Sequence, residues 1–237
     1  MNSTQLRLTV IASLTLALWP AMCTAQSTTT PGQKEPQHAM SLDAIVQASQ
    51  QLPKDRRELL DEAAEKIREV GQAGDVNLLA VCTHNSRRSQ FCQAWATVAA
   101  AHHGLKSIHC YSCGTEATAC NPRTVAALQR AGWQVEPAKS EATNPKYKAS
   151  FGDRSTAVQV WSKAFGDESL PSQQIVALMC CDEADTACPN VPGARARVAL
   201  HYVDPKVSDG KPSEAATYDE RSQQIAAEMF YLLRAIK

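Results

Sequence analysis

The sequence predicts an α/β protein built as a three-layer sandwich, with a central four-stranded parallel sheet between helices. Short apolar runs alternate with helical patterns along the second half of the 237-residue chain. This alternation is typical of a parallel sheet covered on both faces. The four predicted strands are residues 76–81, 107–111, 174–179 and 198–203.

Helical signals separate these strands. Residues 88–103 predict a helix that follows the first strand directly, with Phe91, Trp95 and Val98 facing inward. Asn121 and Pro122 form an N-cap and first-turn pair for the next helix. Alternating apolar residues within 147–161 predict an inserted hairpin. The last helix presents one apolar face to the core: Tyr218, Ile225, Met229, Leu232 and Ile236.

Two helices are predicted ahead of the first strand. Ser41 can cap the first, and Pro53 opens a longer one that Gly71 ends. They form a helical extension, residues 41–75, in front of a domain that spans residues 76–237.

The first 25 residues predict a secretory signal peptide, cleaved after Ala25. Arg7 precedes an apolar run of about 12 residues, shorter than the roughly 20 that a membrane-spanning helix needs. A retained anchor and lipidation at Cys23 are the alternatives. Residues 26–40 are rich in Ser, Thr, Pro, Gln and Gly taken together, a composition that predicts a linker. The mature protein is therefore expected in the periplasm or outside the cell, with no membrane span.

Composition excludes a nucleic-acid partner. The chain has 24 basic and 24 acidic side chains, so it carries no basic excess that would attract a phosphate backbone. It also has nine cysteines. Removal of the predicted signal peptide would leave eight of them, and in an oxidising compartment an even number favours disulfides, which competes with the interpretation of any cysteine as catalytic.

The turn after the first strand carries the strongest chemical signal. It reads Cys82-Thr83-His84-Asn85-Ser86-Arg87-Arg88-Ser89, with five residues between a cysteine and an arginine. A loop of this length can wrap its backbone N–H groups around a tetrahedral oxyanion, while the arginine forks onto two of the oxygens. The helix N-terminus favours a thiolate, so Cys82 is a candidate nucleophile. The alternative is a buried cysteine that simply ends a strand.

This loop resembles that of the low-molecular-weight protein tyrosine phosphatases and, more closely, that of the thioredoxin-coupled arsenate reductases that share their fold. Three further segments agree in order: Ser112 with Gly114-Thr115-Glu116 and Asn121-Pro122, then Cys181-x6-Cys188-Pro189, then Asp204-Pro205. The resemblance covers residues 76–237.

The resemblance implies a role for each matching residue. Cys82 would be the nucleophile, Arg88 the oxyanion clamp, Ser89 the partner of the thiolate and Asp204 the general acid. Thr83 to Arg87 would supply the rest of the oxyanion-binding loop. For Asp204, the alternative is a solvated acid before a turn proline.

Cys181 and Cys188 separate the two activities within this fold. In the arsenate reductases a pair so placed relays oxidation away from the nucleophile, whereas a phosphatase needs neither thiol. The phosphatases also carry a tyrosine after Asp-Pro, where this chain has Lys206. The leading hypothesis is therefore a thiol-dependent arsenate reductase. A phosphotyrosine or small-molecule phosphatase is the second hypothesis, and a non-catalytic oxyanion-binding protein with a structural Cys181–Cys188 disulfide is the third.

Several residues depart from the family pattern. His84 replaces a glycine that would allow positive φ, and Arg87 adds a second positive charge near the loop. Gln93 replaces a glutamate that helps some arsenate reductases bind potassium. No metal and no tightly bound cofactor are expected, but an exported reductase would need an external thiol reductant, such as a thioredoxin-like protein.

The other cysteines have weaker claims to chemistry. Cys92 and Cys180 lie on apolar patterns and are predicted to be buried thiols. Cys113 and Cys120 are candidates for a disulfide, although sequence does not fix connectivity.

Overall fold

The computed structural model describes residues 40–136, 142–152 and 156–237, together with Met1. The predicted signal peptide and nearly all of the predicted linker lie outside these ranges. Within the described part of the chain, no helix is both long and apolar enough to cross a membrane.

Six helices and seven strands make up the described residues. The helices are α1 (Leu42–Gln50), α2 (Lys54–Gly71), α3 (Arg88–His103), α4 (Pro122–Arg130), α5 (Asp182–Ala187) and α6 (Glu214–Ile236). The strands are β1 (Val76–Cys82), β2 (Ile108–Gly114), β3 (Gln134–Glu136), β4 (Tyr147–Phe151), β5 (Thr156–Val160), β6 (Ile175–Met179) and β7 (Ala194–Ala199).

The central sheet confirms the predicted fold class. It has four strands in the order β2-β1-β6-β7, and every neighbouring pair is parallel. The chain leaves β1 towards β2 on one side and later returns to β6 on the other. Ligands bind parallel sheets at such a switch in direction, beyond the carboxyl ends of the strands. Cys82, the last residue of β1, lies at this point.

The predicted hairpin is present as β4 and β5, which pair antiparallel. The short strand β3 adds to it through β4, and this third strand was not predicted. A three-residue strand is too short to show an alternating pattern in sequence.

The two N-terminal helices are built as predicted. The Ser41 side chain accepts a hydrogen bond from the Ala44 backbone N–H and so caps α1, and Pro53 precedes the first residue of α2. Helix α2 buries Leu60, Ala64 and Ile67 in the same hydrophobic core as the sheet, where α1 and α2 both contact α6.

The predicted strand at residues 198–203 is wrong in its bounds. The observed strand, β7, ends at Ala199, because His201 adopts a positive φ of 43° and both Leu200 and His201 donate backbone hydrogen bonds to the Met179 carbonyl. Leu200 and Tyr202 are nevertheless buried, so this loop carries the apolar alternation of a strand without its pairing. Helix α5 was also not predicted, since six residues give too few turns for a helical period.

Candidate active site

The loop between Cys82 and Arg88 joins β1 directly to α3. Cys82 ends the strand and Arg88 begins the helix, as the sequence predicts. The Cys82 side chain is only 3% exposed, so its sulfur lies at the floor of the loop rather than on the surface.

Ser89 donates a hydrogen bond to the Cys82 sulfur. The two atoms, Ser89 Oγ and Cys82 Sγ, lie 3.0 Å apart. Asn85 Nδ2 donates to the same Ser89 oxygen at 2.8 Å, which leaves the serine hydroxyl proton free to point at the sulfur.

The strained residue in the loop is Asn85 rather than His84. Asn85 has a φ of 45°, while His84 is not among the positive-φ residues, so the position of His84 does not need the positive φ that a glycine would allow. Asparagine enters the left-handed region more readily than most residues, because its short side chain can hydrogen-bond locally. Asn85 Oδ1 accepts from the Lys163 backbone N–H at 2.8 Å, and this contact fixes the amide that holds Ser89.

Gly114 allows the loop to lie against β2. It is the partner of Cys82 in the parallel register, and a Cβ built on it would lie 2.5 Å from the Thr83 carbonyl oxygen and 2.7 Å from the Asn85 backbone nitrogen. No side chain fits in that space. Glycine is therefore required here by the close approach of the loop backbone.

Arg88 is buried beside the loop, with both nitrogens of its fork held by neighbouring acceptors. The residue is 6% exposed; its Nη2 pairs with Asp204 Oδ2 at 2.9 Å, and its Nη1 donates to the Tyr202 carbonyl oxygen at 3.2 Å. Its Nε is buried and has no hydrogen-bond partner among the described residues. A buried guanidinium N–H without an acceptor is costly. An oxyanion in the loop would supply the acceptor that Nε lacks.

Arg87 lies beside the loop with its charge already matched. Its Nε donates to the Tyr218 hydroxyl at 2.9 Å, and its guanidinium lies 3.6 Å from Asp209 Oδ2 and 3.9 Å from Asp204 Oδ1. Two carboxylates therefore balance the second positive charge that is expected from sequence.

At the rim of the loop, His84 Nε2 lies 2.9 Å from Glu116 Oε1, while Ser86 Oγ donates to the Ala119 carbonyl.

Asp204 reaches the site from a loop and not from a strand end. It precedes a short 3₁₀ turn, Pro205–Ser208, and its Oδ1 accepts from the Lys206 backbone N–H at 3.0 Å. The predicted place of Asp204, at the end of a strand through residue 203, is thus corrected. It still lies on the same edge of the sheet as Cys82, and its side chain is 26% exposed.

Cys181 lies against the loop, and Cys188 lies one short helix away. Cys181 caps α5, is fully buried, and places its sulfur 3.7 Å from Thr83 Oγ1. Burial raises the pKa of the Cys181 thiol, an effect that the nearby Arg88 guanidinium partly opposes. Cys188 ends α5, is partly exposed, and donates through its thiol to the Asn190 carbonyl at 3.4 Å.

The remaining described cysteines are free thiols in the interior or on β2. Cys92 and Cys180 are completely buried, as predicted. Cys113 and Cys120 are separate thiols rather than a disulfide, and burial raises the pKa of Cys120 to about 12.

No cluster of three or more metal-ligating side chains occurs among the described residues. Gln93 instead accepts a hydrogen bond from Ser112 through Oε1 at 2.6 Å.

Two parts of the site were not predicted from sequence. Lys163 is buried, its Nζ lies 3.7 Å from the centre of the Trp161 ring, and burial lowers its pKa to about 8. It follows the inserted hairpin, and its backbone N–H holds Asn85. The second is the Tyr202 carbonyl, which orients Arg88. Backbone contacts of this kind leave no mark in the residue pattern.

Comparison with known proteins supports this reading of the loop. Residues 77–151 match the family described as low molecular weight phosphotyrosine protein phosphatase, and this stretch contains Cys82 to Ser89. The chain is also 28% identical, over 141 residues, to an arsenate reductase of Bacillus licheniformis, an alignment that covers 60% of this chain and 82% of that protein. The chain is thus similar to low molecular weight phosphotyrosine protein phosphatases over residues 77–151 and to an arsenate reductase over 141 residues.

Two solved structures of distant sequence are also similar to this chain. A low molecular weight protein tyrosine phosphatase from T. tengcongensis is 16% identical with a TM-score of 0.46, and the match covers 68% of this chain and 99% of that one. An arsenate reductase in the phosphate binding state is 20% identical with a TM-score of 0.42, again over 68% and 99% of the two chains.

Proposed function

We propose that this protein is an exported, thiol-dependent arsenate reductase. The observation that carries the proposal is the position of Cys181, buried against Thr83 of the nucleophile loop and within the field of Arg88, with Cys188 at the other end of α5. The relationship to an arsenate reductase of Bacillus licheniformis supports the same assignment. Phosphate ester cleavage would not require either thiol.

Arsenate would bind in the loop in the same way as phosphate. Backbone N–H groups of Thr83 to Arg88 and the N-terminus of α3 would surround three oxygens, and Arg88 would turn its fork, including the unpartnered Nε, onto two of them. The Cys82 thiolate, stabilised by Ser89, would attack arsenic and form an S–As bond as water leaves.

The redox step then passes between thiols. Cys181 sulfur attacks Cys82 sulfur, the S–As bond breaks, and its electron pair stays with arsenic, which departs as arsenite. Arsenic gains two electrons while Cys82 and Cys181 become a disulfide. Cys188 then attacks Cys181, which releases the Cys82 thiolate and leaves a Cys181–Cys188 disulfide. The balance is one arsenate and two thiols giving one arsenite, one disulfide and one water.

The second exchange requires α5 to unwind. Cys181 and Cys188 flank a six-residue helix, so at 1.5 Å per residue their Cα atoms are about 10 Å apart. A disulfide needs Cα atoms within roughly 7 Å. Helix α5 suits such a change, because it is short and only Ala184 is buried within it.

An external dithiol must reduce the Cys181–Cys188 disulfide after each turnover. The partly exposed Cys188 is the accessible sulfur of that pair. Because the sequence predicts export, the reductant would be a thioredoxin-like protein of the same compartment. No tightly bound cofactor is required by these steps.

An activity comparison tests the proposal. The purified protein is given arsenate with a dithiol such as dithiothreitol, and separately an aryl phosphate such as p-nitrophenyl phosphate. We expect catalytic release of arsenite that stops when the dithiol is exhausted. Hydrolysis of the aryl phosphate without any arsenite release would instead establish a phosphatase, and binding of both anions without turnover would establish an oxyanion-binding protein.

A second candidate function is phosphomonoester hydrolysis, and one observation favours it. Asp204 lies 2.9 Å from Arg88 at the mouth of the loop, where a carboxyl group could protonate a leaving oxygen. A residual phosphatase activity of the same site is therefore expected.

Substitution of Asp204 by asparagine tests this role. Asp204→Asn should slow cleavage of phenyl phosphate by about 100-fold or more, because the poor leaving group needs protonation in the transition state. Cleavage of p-nitrophenyl phosphate, whose leaving group is far more acidic, should fall much less. The measurement compares the hydrolysis rates of phenyl phosphate and p-nitrophenyl phosphate in the parent and in the variant. An equal small loss of rate for both substrates would show that Asp204 has a structural role.

A further inference from the structure

The helical extension contributes a buried charge to the back of the site. Arg56, on α2, is largely covered and donates through Nη1 to the Leu200 carbonyl oxygen at 2.8 Å. Its Nε and Nη2 both donate to the Glu228 carboxylate on α6. Arg56 thus joins the extension, α6 and the loop that follows β7.

Glu228 needs these partners because it is only 1% exposed. It accepts from Arg56 on both oxygens, from the Tyr202 hydroxyl at 2.9 Å and from Gln224 Nε2 at 2.9 Å. A buried carboxylate is tolerated only when it is paired and hydrogen-bonded. Burial and the Glu228 carboxylate raise the pKa of Tyr202 well above its ordinary value, so its hydroxyl remains a donor.

The loop held by this network carries Asp204 and contacts Arg88. The loop bonds to the network through two groups. Its Leu200 carbonyl accepts from Arg56, and its Tyr202 hydroxyl donates to Glu228. Between them lies His201 with its positive φ, a conformation that persists only where the surroundings impose it. The Tyr202 carbonyl then accepts from Arg88 Nη1, and two residues later Asp204 pairs with Arg88 Nη2.

We propose that Arg56 is a positioning residue for the active site, acting through Leu200, Glu228 and Tyr202 on the orientation of Arg88 and Asp204. This inference rests on the roles of Arg88 and Asp204 in the proposed function. It extends the site to α2, which precedes the segment matched by the family, residues 77–151. The helical extension would accordingly be part of the enzyme's working structure and not a detachable spacer.

The test replaces both charges so that neither is left buried alone. In the double variant Arg56→Gln, Glu228→Gln, the fold loses an ion pair but gains no unpaired charge. Arg56→Lys is the conservative variant, which keeps a cation for Glu228 but lacks the planar fork that also reaches Leu200. Arg57→Gln is the matched control, since Arg57 lies next on the same helix and bonds only to the Leu52 carbonyl nearby.

Two measurements separate positioning from general stability, both made on variants whose melting temperature shows them folded. The first is the ratio of kcat/KM for p-nitrophenyl phosphate to that for phenyl phosphate. We expect it to rise by about 10-fold in the double variant, because displacement of the acid penalises the poor leaving group most. The second is the phosphate concentration that half-protects Cys82 from iodoacetamide, which should rise by about 10-fold as Arg88 loses its orientation. Arg56→Lys should lie between parent and double variant in both.

The outcomes distinguish the two claims. If the parent neither reduces arsenate nor cleaves esters, the proposed function fails, and phosphate protection of Cys82 still reports on Arg56. A folded double variant that matches Arg57→Gln in both measurements would overturn the positioning role while leaving the proposed function intact. A parent in which phosphate gives no protection would refute both.

Discussion

Replacement of Arg88 by alanine is expected to remove phosphate protection of Cys82 and to lower turnover by about 1,000-fold. Arg88 is buried, and its Nε has no hydrogen-bond partner among the described residues. Without the guanidinium, the loop keeps its backbone donors but loses the side chain that is proposed to fork onto two oxygens. Alkylation of Cys82 by iodoacetamide, followed at neutral pH with and without phosphate, measures the first effect directly.

Two variants make this result specific. Arg88→Lys keeps the positive charge but not the planar fork, so it should restore only part of the protection. Arg123→Ala removes a surface arginine that pairs with Glu214, and it should alkylate and be protected like the parent. If phosphate protects Cys82 equally well in Arg88→Ala and in the parent, Arg88 is not the clamp.

Replacement of either relay cysteine by serine is expected to end catalytic arsenate reduction. Cys181→Ser removes the thiol that lies against the loop and would attack the Cys82 sulfur. Arsenite release should therefore fall to the background rate given by the external dithiol. Cys188→Ser should complete one reduction and then stop with a Cys82–Cys181 disulfide. Both variants should keep the parent rate on p-nitrophenyl phosphate, since ester cleavage involves Cys82, Arg88 and Asp204.

The pH dependence of the relay follows from the burial of Cys181. Burial raises the pKa of this thiol, so only a small fraction is thiolate at neutral pH, and that fraction grows as the pH rises. The rate of arsenite release in a single turnover of Cys188→Ser should therefore increase between pH 7 and pH 9.

Cys110→Ser is a suitable control for the two relay variants, because Cys110 lies on β2 away from the loop. Unchanged catalytic reduction in both Cys181→Ser and Cys188→Ser would refute the relay.

The sequence predicts the strands of the sheet and the nucleophile loop well, because each is marked by a pattern of residues that are neighbours in the chain. A buried parallel strand appears as a continuous apolar run, as in residues 76–81, and the helix that follows begins at the arginine of the motif. The N-cap Asn121 is equally local, since its side chain bonds the backbone N–H of Arg123 two residues away. These features depend on neighbours in the chain.

The supports of the site are long-range and were not predictable in the same way. Asn85 is fixed by the backbone of Lys163, 78 residues later, and Arg56 reaches Glu228 across 172 residues. The predicted strand runs too far past β7 for another reason. Leu200 and Tyr202 are buried at alternate positions, as in a strand, but they lie beyond the end of the strand at Ala199. A residue pattern reports burial, but it does not report which backbone group accepts the hydrogen bond.

The stoichiometry of a reaction without external reductant tests the central claim most directly. The reduced protein is mixed with excess arsenate, and released arsenite and remaining free thiols are measured together, with peptide mapping of any disulfide. We expect one arsenite per protein molecule, the loss of two thiols, and a disulfide between Cys181 and Cys188. Absence of arsenite, or arsenite release with no loss of thiols, would contradict the assignment of this protein as a thiol-dependent arsenate reductase.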